Sequence, residues 1–124
     1  MASPENEGPA IPSPALQGAI KMSDRITQLQ KMLEREPNDT FLLYGIALEH
    51  KKASEWDKAL EYLGRVIQLD PGYCYAYHQS GLIHEMRGDM AAARKVYEEG
   101  IAAAIKKGDA HARDEIAGAL STIE

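Results

Sequence analysis

Residues 81–93 read Gly-Leu-Ile-His-Glu-Met-Arg-Gly-Asp-Met-Ala-Ala-Ala, with a glycine and an aspartate between two apolar segments. Gly88 can adopt a positive φ at the end of one helix, and Asp89 can cap the start of the next. The small side chains of Gly81 and Ala93 allow two antiparallel helices to approach closely. The stretch therefore predicts a helical hairpin.

The same arrangement occurs 34 residues earlier in the chain. Pro37 and Pro71 are 34 residues apart, and each follows an acidic residue and an apolar run. A shift by 34 places Ala47 on Gly81, Leu48 on Leu82, His50 on His84, Glu55 on Asp89, Ala59 on Ala93 and Ile67 on Ile101. A period of this length indicates stacked helical repeats. Because a catalytic group has no reason to recur at that period, the pattern favours packing roles for His50 and His84.

Apolar residues recur at intervals of three and four along the chain, which predicts amphipathic helices. The predicted helices cover residues 23–36, 40–52, 55–69, 74–87, 89–106 and 109 to about 123. In the first helix the side chains predicted to face inward are Ile26, Leu29, Met32 and Leu33. In the last helix the apolar face comprises Ala112, Ile116, Ala119, Leu120 and Ile123. Such a one-sided helix is suited to cover the end of a stack.

Composition restricts the class of protein. The net charge is −5, with 14 Lys and Arg against 19 Asp and Glu, which argues against a nucleic-acid partner. No apolar run approaches the roughly 20 residues needed to span a bilayer, so no membrane contact is expected. Cys74 is the only cysteine, which excludes an internal disulfide and fits a reducing, cytoplasmic location. Residues 1–22 contain four of the six prolines and are predicted to form a disordered arm.

The repeat resembles that of the tetratricopeptide repeat family. The family motif has a large residue at place 4, Leu or Gly then Ala at 7 and 8, aromatics at 11 and 24, Ala at 20 and 27, and Pro at 32. Counted from Thr40, the chain has Leu43, Ile46-Ala47, His50, Ala59, Leu63, Val66 and Pro71 at the main places. Counted from Cys74, it has Tyr77, Ser80-Gly81, His84, Ala93, Tyr97, Gly100 and Ile105. The second repeat lacks its proline, which lets the helix of 89–106 continue.

The resemblance implies an all-α, right-handed superhelix of about six helices. The expected units are a half-repeat at 23–36, repeats at 40–73 and 74–107, and a capping helix at 109–124. The resemblance also implies a protein partner, because in this family the first helix of each repeat lines a concave groove through places 2, 5, 9, 12 and 13. Those places are Phe41, Tyr44, Leu48, Lys51, Lys52, Tyr75, His78, Leu82, Glu85 and Met86, to which the last helix adds Asp109, Ala112 and Ile116.

Exposed aromatic residues grouped on one face usually mark a contact surface. The sequence therefore predicts a non-enzymatic adaptor or assembly scaffold that binds a peptide or helix in the groove. Family members that grip the C-terminal carboxylate of chaperone partners carry Lys, Asn and Arg at places 5 and 9. Here those places hold Tyr44, Leu48, His78 and Leu82, so an apolar or helical peptide fits better. Two alternatives remain open: a homodimer formed through the same face, and coverage by the protein's own arm.

The histidines and the cysteine were weighed as chemical sites. His84-Glu85 lacks the second histidine, four residues after the first, that a zincin helix requires. Successive repeats stack about 10 Å apart, which separates His50 from His84 too far for shared zinc bonds of about 2.1 Å. Cys74 lies at a helix start, which can lower a thiol pKa, but it lacks the setting of a catalytic thiol. We therefore expect no metal, no cofactor and no catalytic site.

Overall fold

The computed structural model describes the backbone of residues 14–124 and the side chains of residues 24–124. In this part of the chain there are six α-helices and no β-strand. The helices are α1 (Pro14–Arg35), α2 (Thr40–Lys52), α3 (Trp56–Leu69), α4 (Cys74–Met86), α5 (Met90–Lys107) and α6 (Ala110–Ser121). Each helix packs mainly on its neighbours in the chain, as expected of a helical-repeat superhelix.

The hairpin turns repeat one backbone pattern. The amides of Glu55, Asp89 and Asp109 donate at 2.9 Å to the carbonyls of His50, His84 and Ala104 respectively. Gly88 and Gly108 have φ values of 80° and 81° in these turns, and Ser54 occupies the corresponding place with a φ of 60°. The prediction that Ser54 caps α3 is therefore wrong. The turn needs a left-handed residue there, and Glu55 takes the cap position without a side-chain cap bond.

The predicted helix crossings are confirmed. Ala47, Ala59, Gly81 and Ala93 are all buried between paired helices. One core cluster joins the first hairpin to α4 through Leu43, Ala47, Ala59, Leu63, Val66, Ala76 and Ile83. A second cluster joins α4, α5 and α6 through Cys74, Ala93, Tyr97, Ala104, Ala112 and Ile116. The small residues bring the helix axes together, and the large residues fill the space beside them.

Helix α1 is longer than the sequence predicted. It begins at Pro14 rather than at residue 23, so it includes residues 14–22 that were assigned to a disordered arm. A proline is well suited to the first turn of a helix, where its missing N–H would have no partner, and mostly good helix formers follow it. The remainder of the predicted arm lies outside the described residues. Met32, predicted to face inward, is 53% exposed, whereas Leu29 and Leu33 are partly buried against the rest of the fold.

Helix α5 is also long, as the missing proline predicted, and it changes the position of α6. Helix α3 has 14 residues and α5 has 18. The N-caps of α2, α4 and α6 are Asp39, Tyr73 and Asp109, so the first interval is 34 residues and the second is 36. Counted from its own first residue, Ala110, α6 therefore presents its repeat places two residues later than a strict period predicts.

Candidate functional site

The helices α2, α4 and α6 share one face because their side chains bond directly across it. The Lys51 ammonium on α2 donates to the Gln79 amide oxygen on α4 at 2.6 Å. Tyr75 on α4 forms a side-chain hydrogen bond with Glu115 on α6. We call this surface the α2–α4–α6 face. It contains the ten residues of α2 and α4 that the sequence assigned to a groove.

Three tyrosines form a cleft at one end of this face. Tyr44 and Tyr73 pack with ring centroids 5.1 Å apart and planes tilted by 39°. With Tyr75, Cys74, Lys107 and Asp109 they line a cleft of about 200 Å³. Burial raises the pKa of Tyr44 and of Tyr73, so both hydroxyls stay protonated at neutral pH. The cleft therefore offers apolar ring faces together with neutral hydroxyl groups.

A polar network continues along the face from the cleft. The side chain of Gln79 hydrogen bonds to the Tyr44 hydroxyl and accepts from Lys51. One glutamine thus connects two residues of α2 that are seven positions apart. Because Gln79 uses both its amide oxygen and its amide nitrogen in these contacts, the three side chains have fixed relative positions.

His78 lies near the middle of the α2–α4–α6 face. Its ring meets the buried ring of Tyr97 edge-on, with centroids 6.2 Å apart. Burial lowers the pKa of His78, and the charge of Lys51 lowers it further, whereas Glu115 and Glu85 raise it. The lowering effect of burial is the largest, so His78 is neutral at pH 7.

The remaining groove candidates of α2 and α4 differ in availability. Phe41 is 74% exposed and Met86 is 56% exposed, so both offer apolar surface at the edges of the face. Leu48 and Leu82 are half-buried, and Lys52 is exposed and paired with Glu49 at 3.4 Å. Glu85 is half-buried and accepts a hydrogen bond from the Tyr97 hydroxyl. Its carboxylate is therefore already engaged within the fold.

The two groove candidates on α6 are corrected by the structure. Ala112 and Ile116 are both completely buried, in the core cluster that joins α4, α5 and α6. The cause is the 36-residue interval, which moves these residues to places 3 and 7 of their helix. The residues at place 3 of α2 and α4 are Leu42 and Ala76, and those at place 7 are Ile46 and Ser80; all four are buried. Ala112 and Ile116 thus have no surface for a ligand.

Four residues of the face were missed from sequence: Tyr73, Gln79, Lys107 and Glu115. Tyr73 precedes α4 rather than belonging to it, and Lys107 ends α5, so neither occupies a groove place. Gln79 and Glu115 both occupy place 6 of their helices once α6 is counted from Ala110. A count based on N-caps would have identified Glu115, because Asp109 is a recognisable cap that accepts from the Ala112 amide at 3.0 Å.

The packing role predicted for His50 is confirmed. It is buried, its Nδ1 lies 2.7 Å from a carboxylate oxygen of Glu55, and its ring stacks on Tyr62 with centroids 5.6 Å apart. His84 is only partly buried, because its place in the second repeat faces Val96 in the position of Tyr62. Burial raises the pKa of the Cys74 thiol despite its place at a helix start, so it is a poor nucleophile.

Metal and membrane sites were also searched. Across the described residues, no group of three or more His, Cys, Asp or Glu side chains could hold a metal ion. No helix in residues 14–124 combines the length and the apolar character needed to cross a bilayer.

Six helices in sequential hairpins, with small residues at each crossing, define a helical-repeat protein. No family model matches the chain. It is, however, 32% identical over 91 residues to the TPR repeat-containing protein PA0015 of Pseudomonas aeruginosa, which covers 73% of this chain and 87% of that protein. The chain belongs to the tetratricopeptide repeat family.

Two solved structures support the same assignment. Protein BPP2914 from Bordetella parapertussis is 28% identical, with a TM-score of 0.70 over 79% of this chain and 85% of that one. The TPR2B domain of yeast Sti1, solved in a complex with pHsp70, has a TM-score of 0.76 over 86% of this chain and 85% of its own. At 15% identity, the similarity to Sti1 concerns the fold alone.

Proposed function

We propose that this protein is a non-catalytic interaction module that binds a peptide or helix of another protein on the α2–α4–α6 face. The observation that carries the proposal is the grouping of accessible aromatic side chains there. Phe41 is the most exposed large apolar residue of the described chain, and Tyr75 is 36% exposed beside the tyrosine cleft. Aromatic residues supply a large contact area at little entropic cost, and for that reason they dominate the energetics of protein interfaces.

The polar groups of the face support the same function. Tyr44, Gln79 and Lys51 are held in one hydrogen-bonded network, so little side-chain freedom is lost when a partner binds. The face therefore combines a preorganised floor with an apolar edge at Phe41 and Met86. This combination suits recognition of a segment of another protein, in the role of an adaptor or assembly scaffold.

A non-catalytic role fits the engagement of the titratable groups near the face. Glu85 accepts from Tyr97, and the Glu55 carboxylate contacts His50. These groups stabilise the helix packing, and neither is positioned beside a candidate nucleophile. The Sti1 domain, which shares this fold, was solved with a bound partner, pHsp70, and this is consistent with a binding role here.

The test is site-specific photo-crosslinking in a lysate of the source organism. A photoreactive phenylalanine analogue replaces Tyr75 in one variant and Ile105, which is 62% exposed on α5, in a control. We expect a discrete partner to be captured at position 75 and not at position 105. Phe41→Ala in the position-75 variant should reduce that capture, whereas Leu69→Ala should not. Equal capture at both positions would contradict the assignment of the face.

The homodimer predicted as an alternative makes a different demand on the same residues. If the α2–α4–α6 face binds a second copy, crosslinks at position 75 join two identical chains. Sedimentation velocity across a micromolar concentration range then shows a dimer that Phe41→Ala weakens. A monomer at all concentrations, with a crosslink to another protein, supports the adaptor.

A further inference from the structure

Lys51 is an exception among the partly buried charges of this protein. Its ammonium group is half-buried on the α2–α4–α6 face, and its hydrogen-bond partner is the neutral amide of Gln79. Among residues 24–124, no carboxylate oxygen lies within 4.0 Å of it. By contrast, buried Glu49 has two cationic neighbours, Arg25 at 3.6 Å and Lys52 at 3.4 Å.

This arrangement leaves a cation partly removed from water without a counter-ion. Burial lowers the pKa of Lys51, and no neighbouring carboxylate offsets that effect. An ammonium group has three hydrogen-bond donors, and Gln79 accepts only one of them. The two remaining donors and the uncompensated charge favour an anionic group from a ligand.

The distance from Lys51 to the tyrosine cleft defines the ligand further. Tyr44 and Lys51 are seven residues apart on α2, which is about 10 Å along a helix. A segment in the polyproline II conformation has three residues per turn and rises about 3.1 Å per residue. Side chains three positions apart in such a segment therefore point the same way at about 9 Å. A helical ligand would need a separation of about seven residues to span the same distance.

We propose that the α2–α4–α6 face binds an extended segment of a partner that carries an acidic side chain three residues from an apolar one. The carboxylate bonds to Lys51, and the apolar side chain enters the cleft of Tyr44, Tyr73 and Tyr75. The extended form follows from the size of the cleft, because about 200 Å³ accommodates a single side chain between the tyrosines. This inference rests on the proposed function and specifies its ligand.

The experiment is selection from a phage-displayed library of random dodecapeptides, with the full chain as the immobilised target. Parallel selections use Lys51→Met, Tyr75→Ala and the control Lys58→Met. Lys58 is exposed on α3, away from the face, so its substitution changes the net charge equally. Thermal melts of all variants verify that each is folded. A methionine keeps most of the volume of Lys51 and removes only the charged end.

We expect peptides recovered by the wild type and by Lys58→Met to carry Asp or Glu three residues from a proline, aliphatic or aromatic residue. The Lys51→Met selection should lose the acidic residue and keep the apolar one. A recovered peptide should bind Lys51→Met about tenfold or more weakly than the wild type, in the range of a charge-assisted hydrogen bond.

The outcomes separate this inference from the function on which it rests. Peptides that require Tyr75 but carry no acidic residue, or place it seven residues from the apolar one, would overturn the inference and leave the binding function intact. A selection that yields no Tyr75-dependent peptides would overturn both.

Discussion

The aromatic ring of Tyr97 lies directly against the backbone of Gly81, where α4 and α5 cross. A Cβ atom at position 81 would fall 2.1 Å from Cε1 of Tyr97, a distance at which one of the two groups must move. Tyr97 cannot easily move, because it is fully buried and its hydroxyl donates to Glu85. Glycine at position 81 is therefore a requirement of the ring at position 97.

The first prediction follows from this contact. Gly81→Ala should reduce the free energy of unfolding by about 1–3 kcal/mol, because the added methyl group overpacks the crossing. Chemical denaturation monitored by circular dichroism measures the change. The matched control is Gly64→Ala, whose Cβ would have no neighbour within 4 Å on α3. That substitution should stabilise the protein by about 0.5–1 kcal/mol, because glycine is unfavourable inside a helix. Destabilisation of equal size at both positions would disprove the packing explanation.

The second prediction concerns α6 as a cap of the core. Ile116→Ala should cost about 2–5 kcal/mol of stability, because the side chain is completely buried against α4 and α5. Ile105→Ala should change stability little, since Ile105 is 62% exposed. Peptides selected on the wild type should still bind the Ile116→Ala variant at temperatures where it remains folded. A variant of normal stability with impaired binding would restore Ile116 to the groove.

The third prediction concerns acid sensitivity. The hydrogen bond with His50 lowers the pKa of the Glu55 carboxyl below its usual value. A carboxyl whose pKa is depressed by folding contributes stability above its unfolded pKa, and that contribution is lost as the pH falls through the folded value. We expect Glu55→Gln to lose less stability than the wild type between about pH 5 and pH 3, close to the ordinary range of a glutamate.

Thermal melts across that pH range measure the difference between Glu55→Gln and the wild type. Glu98→Gln provides the control, since Glu98 is exposed on α5 and should leave the pH profile of the wild type unchanged. Parallel profiles for Glu55→Gln and the wild type would show that the contact between His50 and Glu55 does not contribute to acid sensitivity.

The fourth prediction concerns the start of α6. Asp109 accepts from the Ala112 amide at 3.0 Å, so Asp109→Ala should cost about 1 kcal/mol by removing the N-cap. Asp114→Ala is the comparison, because Asp114 is exposed and makes only a surface ion pair with Arg113. Amide hydrogen exchange should increase in α6 for the first variant and remain unchanged for the second.

The repeat units were predictable because they depend on local chemistry. The helix range 40–52 was obtained without error, and the other ends from α2 onward were obtained to within about two residues. Small residues 34 positions apart identified the crossings, and Gly88 with Asp89 identified a turn. Ser54 was misassigned because a serine pattern indicates a cap more often than a positive φ. The start of α1 was missed because its prolines and glycines suggested an irregular segment.

The candidate site was less predictable, because it depends on how separate helices meet. Place numbers put Lys51 on the correct face, but nothing in the sequence pairs it with Gln79 rather than with a carboxylate. The same numbers put Ile116 on a surface, since a strict period ignores the extra length of α5. A shift of two residues turns a helix by about 200°, which is enough to exchange a buried side for an exposed one.

The longer α5 also has a consequence for redesign of the array. The joint between α3 and α4 follows the regular interval, so a duplicate of residues 40–73 inserted there should meet matching neighbours on both sides and add one more rung. The joint between α5 and α6 is bespoke, and a duplicate spliced at Lys107 would meet a partner rotated out of phase. Extension of this molecule is therefore an insertion problem rather than an appending one.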